Sequence, residues 1–527
     1  MELKRLNQLG EWNPQLFREL KGQLTTRNLF LGVTISLVCQ LFLMLMGSEM
    51  VGDSTNSWYI RWESVFIILN WILPFLLLTC GVYLLMSDLG KEEHRGTLNF
   101  IRLSPQSSQS ILSGKMLGVP AVLYLGIILA IPLHFGSALA VDFPLGWLLE
   151  IYLLWGVVCG LFYSSGVLMT LLYGAKNGIQ ALAWSGSFLG FLLGWVYIYV
   201  INVIFDSSGW SNALGNWYWF SLPLGHSPQL IFLWMLITLS VATYWIWQAA
   251  NRIFRNPNST VVSKSQSYWL VASVQVCLLG FFVPPLNEFR PDSQIFLDSQ
   301  VFLGGLTLFV FNPVGLLCMS GVLSPRPQAL RDWARYRHTS NFTDKSLLHR
   351  SLIQDLIWGE KSPGLVAIGI NFLLTAAIWL PWILLGLGQV ESNKDFTVPM
   401  ALLGLLLTLN VILIYVAIAQ VMVFMSKWKQ SVWIVGTVGV LVGSLFAIWA
   451  TMGMSPLDMP FLWLLSPLPI VALTNATTTT IFLGFLTQVG ILGLLTLQLT
   501  RQFRKLGEST SKGLFTQSPS LPLSGLK

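Results

Sequence analysis

Apolar runs of about 20 residues alternate with shorter polar segments along the whole chain, and a helix of that length crosses some 30 Å of hydrocarbon. The pattern predicts twelve spans, at 29–47, 65–86, 115–137, 147–173, 178–202, 228–248, 267–285, 300–321, 364–387, 398–426, 430–451 and 477–499. None of the segments between them is long enough for a separate globular domain. The expected fold class is therefore an all-α polytopic membrane protein of about twelve transmembrane helices.

The spacing of the runs repeats halfway along. Each half opens with a span, a modest outer loop and a second span, then a long inner segment, 87–114 in the first half and 322–363 in the second. A third span, an outer loop and a fourth follow, then a short basic inner turn (Lys176; Lys427 and Lys429). After the fifth span comes an outer segment too apolar and Pro-broken for an ordinary loop, NWYWFSLPLGHSP at 216–228 and FLWLLSPLPIVA at 461–472. Six spans repeated in one orientation predict two parallel six-helix repeats. The domain reading is 1–28 as a cytoplasmic amphipathic N-terminal helix, 29–250 and 251–500 as the two halves, and 501–527 as a disordered tail. Within the first segment, Leu16, Phe17, Leu20 and Leu24 share one helical face, Pro14 suits a helix start, and the helix is expected to lie in the inner headgroup plane.

Composition agrees with the pattern. The chain has 527 residues, 54% hydrophobic and 10% charged, against roughly 25% charged in soluble domains. The net charge of +7 does not indicate nucleic acid. All but three of the 30 Lys and Arg (Arg61, Arg290 and Lys394) fall in one alternating set of loops and tails. That is the positive-inside signature, and it places both termini in the cytoplasm. No apolar core precedes a small-residue cleavage site in the first residues. The expected location is a bacterial inner membrane.

Candidate chemistry is sparse. The spans are almost bare of ionisable residues, which in membranes are costly and functional. The five cysteines sit in or beside apolar runs with no CxxC spacing, and the histidines show no paired spacing. Gly114-Lys115 lacks the upstream glycine and following Ser/Thr of a phosphate-cradling loop. No catalytic residue, bound cofactor or metal is expected, and any ATP hydrolysis belongs to another polypeptide.

The first inner segment carries the most information. It reads Glu92-Glu93-His94-Arg95-Gly96-Thr97-Leu98, then Leu103-Ser104-Pro105, then Ile111-Leu112-Ser113-Gly114-Lys115 leading into a span. This resembles the permeases of the type-2 ABC exporter family, whose corresponding loop holds a Glu-rich stretch, Gly-Thr-Leu, a Pro and a Gly-Lys at the next span. The resemblance covers residues 14–250, and the remainder only in topology.

The resemblance implies a coupling helix that docks on a separate ABC-type ATPase subunit, which would bind the ATP and Mg. Glu92 and Glu93 would pair with basic residues there, Gly96 would allow close approach, and Thr97 would cap the helix. Leu98, Phe100 and Ile101 would form an apolar anchor, with Pro105 and Lys115 completing the motif. Trp358, Gly359 and Glu360, in the stretch Asp355 to Pro363, stand where a second coupling element would lie, although Gly-Thr-Leu is absent there. Trp217, Trp219, Phe220 and Pro223, with Trp463, Pro467 and Pro469, would form an external gate, or would anchor at the interface. The expected partners are the ATPase subunit, the bilayer and, if the second half is divergent, a second permease chain. A secondary transporter and a non-transporting scaffold are the alternatives. The former would need an intramembrane acid or base, and the latter would move no substrate.

Overall fold

The computed structural model describes residues 10–50, 58–174, 178–205, 217–283, 301–340, 345–386, 397–425, 439, 451–453 and 455–507. These residues are almost wholly helical, and ten helices among them are long and apolar enough to cross a membrane. The chain is an all-α, multi-pass membrane protein. It forms two compact units, Met1–Trp217 with Pro223–Asn258, and Tyr218–Leu222 with Ser259–Lys527.

In the first unit, Pro14–Gln23 (α1) starts at Asn13, whose side chain accepts from Leu16 N–H, with Pro14 in the first turn. Thr26–Met46 (α2) is the first span, and a short hairpin of Ser48–Met50 (β1) and Trp58–Ile60 (β2) follows. Trp62–Arg95 (α3), Ala121–Ala140 (α6), Leu145–Tyr173 (α7), Ile179–Phe205 (α8) and Pro228–Arg255 (α9) are the remaining spans. Thr97–Arg102 (α4) and Ser108–Gly118 (α5) lie between α3 and α6. α2 runs along α6, α3 packs against α6, α7 and α8, and α9 packs against α7. The core fills between α3 and α7, with Val65, Leu69, Leu73, Ile151, Leu154 and Val158 buried.

The second unit comprises Lys264–Leu279 (α10), a π-helical turn Thr307–Phe311 leading into Asn312–Leu323 (α11), Pro327–Ser340 (α12), Lys345–Trp358 (α13), Leu365–Gly386 (α14) and Val398–Met425 (α15). Two short helices, Pro460–Leu464 (α16) and Ile470–Leu473 (α17), precede Thr478–Gly507 (α18). α10 runs along α14, α11 packs against α14 and α15, and α15 packs against α18. Between α10 and α14 the contact is a polar seam. Asn371 Nδ2 donates to Ser267 Oγ (3.0 Å), and Trp379 Nε1 donates to Gln275 Oε1 (2.8 Å). Buried amides in hydrocarbon seek partners on neighbouring helices, and Asn371 Nδ2 and Gln275 Oε1 find them here, whereas Asn371 Oδ1 is buried without one.

Several boundaries differ from the sequence pattern. The inner segment 87–114 is not a loop at its start. α3 continues as one helix of 34 residues, about 51 Å long, until Gly96 closes it at φ +74°. The third span begins at Ala121, because α5 ends before Pro120 and forms a separate helix. The seventh apolar run, predicted to extend to 285, gives a helix that stops at Leu279. Its last carbonyls are taken by the docked turn 219–222: Trp219 Nε1 donates to Cys277 O (3.0 Å) and Phe220 N–H to Gly280 O (2.6 Å). α18 continues to Gly507, past the expected start of the tail at 501. The eleventh run, 430–451, lies almost wholly outside the described residues, as does the chain after 507.

Candidate functional site

The segment 97–118 is held from three sides. Gly114 and Gly118, one turn apart on α5, let α1 lie against the helix backbone. A Cβ at Gly114 would fall 2.8 Å from Leu16 N, and one at Gly118 would fall 2.4 Å from Glu19 Cβ. Asn13 Nδ2 donates to Ser110 O (2.9 Å), so the residue that caps α1 also ties it to α5. On the opposite side, Arg255 Nε of α9 donates to Ser108 Oγ (2.8 Å), which bonds Asn251 as well. The Arg102 guanidinium lies 5.4 Å from the centre of the Phe254 ring and pairs with Glu93 at 3.2 Å.

At the centre is Lys115, whose side chain is 1% exposed. Its Nζ lies 2.7 Å from Asp88 Oδ2, 2.8 Å from Glu92 Oε1 and 2.9 Å from Glu19 Oε1. Arg18 Nη2 reaches Glu19 (3.0 Å) and Glu92 (3.1 Å) from the rim. The three carboxylates are grouped closely enough to hold a cation, and the cation in place is the ammonium of Lys115. Burial alone would push the Lys115 pKa down, but Asp88, Glu19 and Glu92 outweigh it and hold the pKa above the ordinary lysine value. For Glu19, burial pulls upward, and Lys115 with Arg18 overcomes it to hold the carboxyl below its ordinary value. The cluster joins three elements, α1, α3 and α5, through one buried charge.

On this braced base, α4 turns large apolar side chains outward. Phe100 is 77% exposed and Leu103 is 83% exposed. Thr97 and Pro105 are exposed, and Ile101 is half-buried. Leu98 is 0% exposed and anchors α4 to its own chain, not to a partner. Lys115 is likewise unavailable to a partner. Glu92 is committed to Arg18 and Lys115, and Glu93 to Arg102, because the basic residues expected on a partner are supplied from within. Thr97 does not cap α4. Its hydroxyl donates back to Glu92 O (3.1 Å), while Gly96 occupies the cap position.

In the second unit, the segment before α14 is also built around a lysine. Lys264 Nζ donates to Ser362 Oγ (2.6 Å), Leu356 O (2.7 Å) and Pro363 O (3.0 Å). Burial pushes its pKa down to about 8, with the Asp355 carboxylate opposing. Ser362 closes onto Asp355 O (2.6 Å) and Gly359 O (2.9 Å). Tyr268 donates to Ile357 O (2.7 Å) and meets the Trp358 ring edge-on at 5.6 Å. Trp358 is 56% exposed, Gly359 is half-buried and Glu360 is exposed.

The expected gate residues divide. Trp219 and Phe220 dock on α10 as described, Phe220 at a positive φ of 52°. Trp217 is exposed, and Pro223 precedes a 3-10 turn. In the second unit, Trp463 lies on α16, Pro467 is half-buried and Pro469 is buried at the start of α17.

Sequence reasoning assigned no site role to Asn13, Arg18, Glu19, Asp88, Gly118 or Lys264, and quoted Leu103 in the motif without giving it one. One signal was present: Asp88 and Glu92 stand four apart, and share a face once α3 is extended beyond the membrane. No family model matches the sequence, and no curated protein or solved structure matches it.

Proposed function

We propose that this chain is the membrane permease subunit of an ATP-driven ABC-type exporter in a bacterial inner membrane, with both termini cytoplasmic and its ATPase on a separate subunit. The observation that carries this reading is the exposure of Phe100 and Leu103 on a short helix that its own chain holds rigid. Exposed apolar side chains on a fixed base form an anchor for another protein.

Transmission follows from helix continuity. α3 runs unbroken from the outer end of the second span to Gly96, so a force on α4 acts on a lever about 51 Å long. Closure of the ATPase subunits on ATP would move the lever, and the difference in docking contacts between nucleotide states would shift the bundle. The duplication read from spacing is supported by helix pairing. First with third, second with third, second with fourth and fourth with sixth occur in the first unit, and the corresponding helices pair in the second. The Pro-broken outer segments would form the external gate.

Replacing Phe100 and Leu103 together with Asp is expected to abolish co-purification of the ATPase subunit and its stimulation in liposomes, leaving the permease folded. Full stimulation by the double variant would remove the coupling assignment. Transport with no nucleotide-hydrolysing companion would instead support a secondary transporter.

A further inference from the structure

We propose that the core of the second unit binds ordered water inside the membrane, along a file of amides that runs from Asn371 to Asn312. Such a site is independent of the permease reading above.

The side chains of the file fix one another's polarity. An indole N–H can only donate, so Gln275 turns Oε1 to Trp379 Nε1 (2.8 Å) and gives Nε2 to Asn312 Oδ1 (3.0 Å). Asn312 thereby ends the chain of bonds with Nδ2, a buried donor that has no partner among the described residues. Eight residues back on both α10 and α14, about 12 Å along the seam, the same logic runs in reverse. Ser267 Oγ gives its proton to Lys264 O (2.7 Å) and must accept from Asn371 Nδ2 (3.0 Å). Asn371 therefore ends in Oδ1, a buried acceptor that has no partner among the described residues. Asn312 is 7% exposed and Asn371 0%. Between the two ends, Thr375 lies one turn from both Asn371 and Trp379. Its hydroxyl donates to Asn371 O (3.0 Å) and keeps a lone pair with which to accept.

The backbone at Asn312 is suited to a guest as well. Asn312 is the middle residue of the span Val301–Leu323, and its N–H bonds Thr307 O across the π-helical turn. Such interruptions of the regular ladder are frequent at functional sites. Pro313 comes next and brings no N–H, so the turn before it loses one internal donor. A side-chain donor and a backbone carbonyl short of its helical donor thus stand close in sequence, at a depth where lipid can supply neither partner. The mixture of signs selects the ligand. A cation would meet the Asn312 amide hydrogens and an anion the Asn371 oxygen. Water donates and accepts at once, and needs about two to four such partners. The core of the first unit between α3 and α7 is apolar by comparison.

X-ray hydroxyl-radical labelling of the full chain in lipid nanodiscs, in isotope-labelled water, reports side chains that touch bound water. After correction for intrinsic reactivity, buried Trp379 is expected to oxidise about tenfold faster than Leu69, which is buried in the first unit's apolar core. Asn312→Leu/Asn371→Leu removes both free ends at nearly constant volume. It should bring Trp379 down to the Leu69 rate, with elution and thermal unfolding retained. Asn312→Ser keeps a hydroxyl donor and should keep the labelling. Trp379 oxidising no faster than Leu69 in the wild type would overturn the proposal, whether or not the variants fold. Undiminished labelling in a folded double variant would overturn it too, by showing that water reaches Trp379 from the bulk. Labelling suppressed by saturating sodium or potassium chloride would assign the site to a cation instead.

Discussion

Lys115 shows how much one side chain decides. Removing its ammonium would leave Glu19, Asp88 and Glu92 facing one another with only Arg18 at the rim. Breaking a buried ion cluster from one side costs about 3–5 kcal/mol. Lys115→Met is expected to destabilise the first unit by that order in thermal unfolding, and an unchanged midpoint would show that the cluster is solvated. The two lysines should also respond differently to pH. The Glu19 carboxyl lies below its ordinary 4.5 in the folded protein, so its contribution is full above 4.5 and is lost as pH falls through the lowered value. Lys115 lies above its ordinary 10.5, so its contribution is full below 10.5 and is lost as pH rises through the raised value. Lys264, at about 8, runs the other way. Between 8 and 10.5 the unfolded chain holds more protons at this position, and stability rises with pH. Unfolding curves of Lys115→Met and Lys264→Met against wild type from pH 4 to 11 should show these opposite slopes, and parallel curves would refute them.

Among the elements, the contact of α1 with α5 is the most sensitive to a change in volume. It exists because Gly114 and Gly118 present bare backbone. Gly118→Leu would drive a side chain into Glu19, and overpacking of this kind costs about 1–3 kcal/mol. The expected outcome is faster hydrogen exchange across 14–23 with α7 unchanged, whereas protection retained in α1 would show that the helix is held by lipid instead. Elements were legible to different degrees. The spans could be read because hydrocarbon demands long apolar runs, and α1 because its apolar face repeats at helical spacing. The end of α10 was misplaced by apolarity alone, which runs on through Phe281, Phe282 and Val283, although Gly280 and Pro284-Pro285 are helix-stop residues. At that end a turn at 219–222, some 60 residues earlier in sequence, occupies its terminal carbonyls.

For the whole molecule, the positive-inside distribution predicts both termini in the cytoplasm, and the repeat read from spacing predicts a crossing at 430–451. Ser107→Cys and Asn475→Cys, both at exposed positions, should label with an impermeant maleimide from opposite faces of sealed vesicles, Ser107 from the cytoplasmic side. Labelling from the same face would remove the eleventh crossing at 430–451 and with it the parallel duplication. The two units differ in their interiors. The second unit has a seam of amides between α10 and α14, whereas in the first unit the corresponding helices, α2 and α6, are joined by Ser36 Oγ to Gly126 O (2.8 Å) and Gln40 Nε2 to Leu129 O (3.3 Å).

The sequence by itself determined that this is a helical membrane protein, roughly where ten of its spans lie and where the basic residues accumulate. Those features follow from a solvent that rejects unpaired backbone and charge at every point along the chain, so they can be read locally. The tertiary structure decided which members of the motif at 92–115 are available to a partner. Leu98, Glu92 and Lys115 turn inward while Phe100 and Leu103 turn outward, and the groups that pair with Glu92 and Lys115 come from α1, α3 and α5. Burial of a charge depends on partners brought together only by folding, and no local pattern around Lys115 contains Glu19.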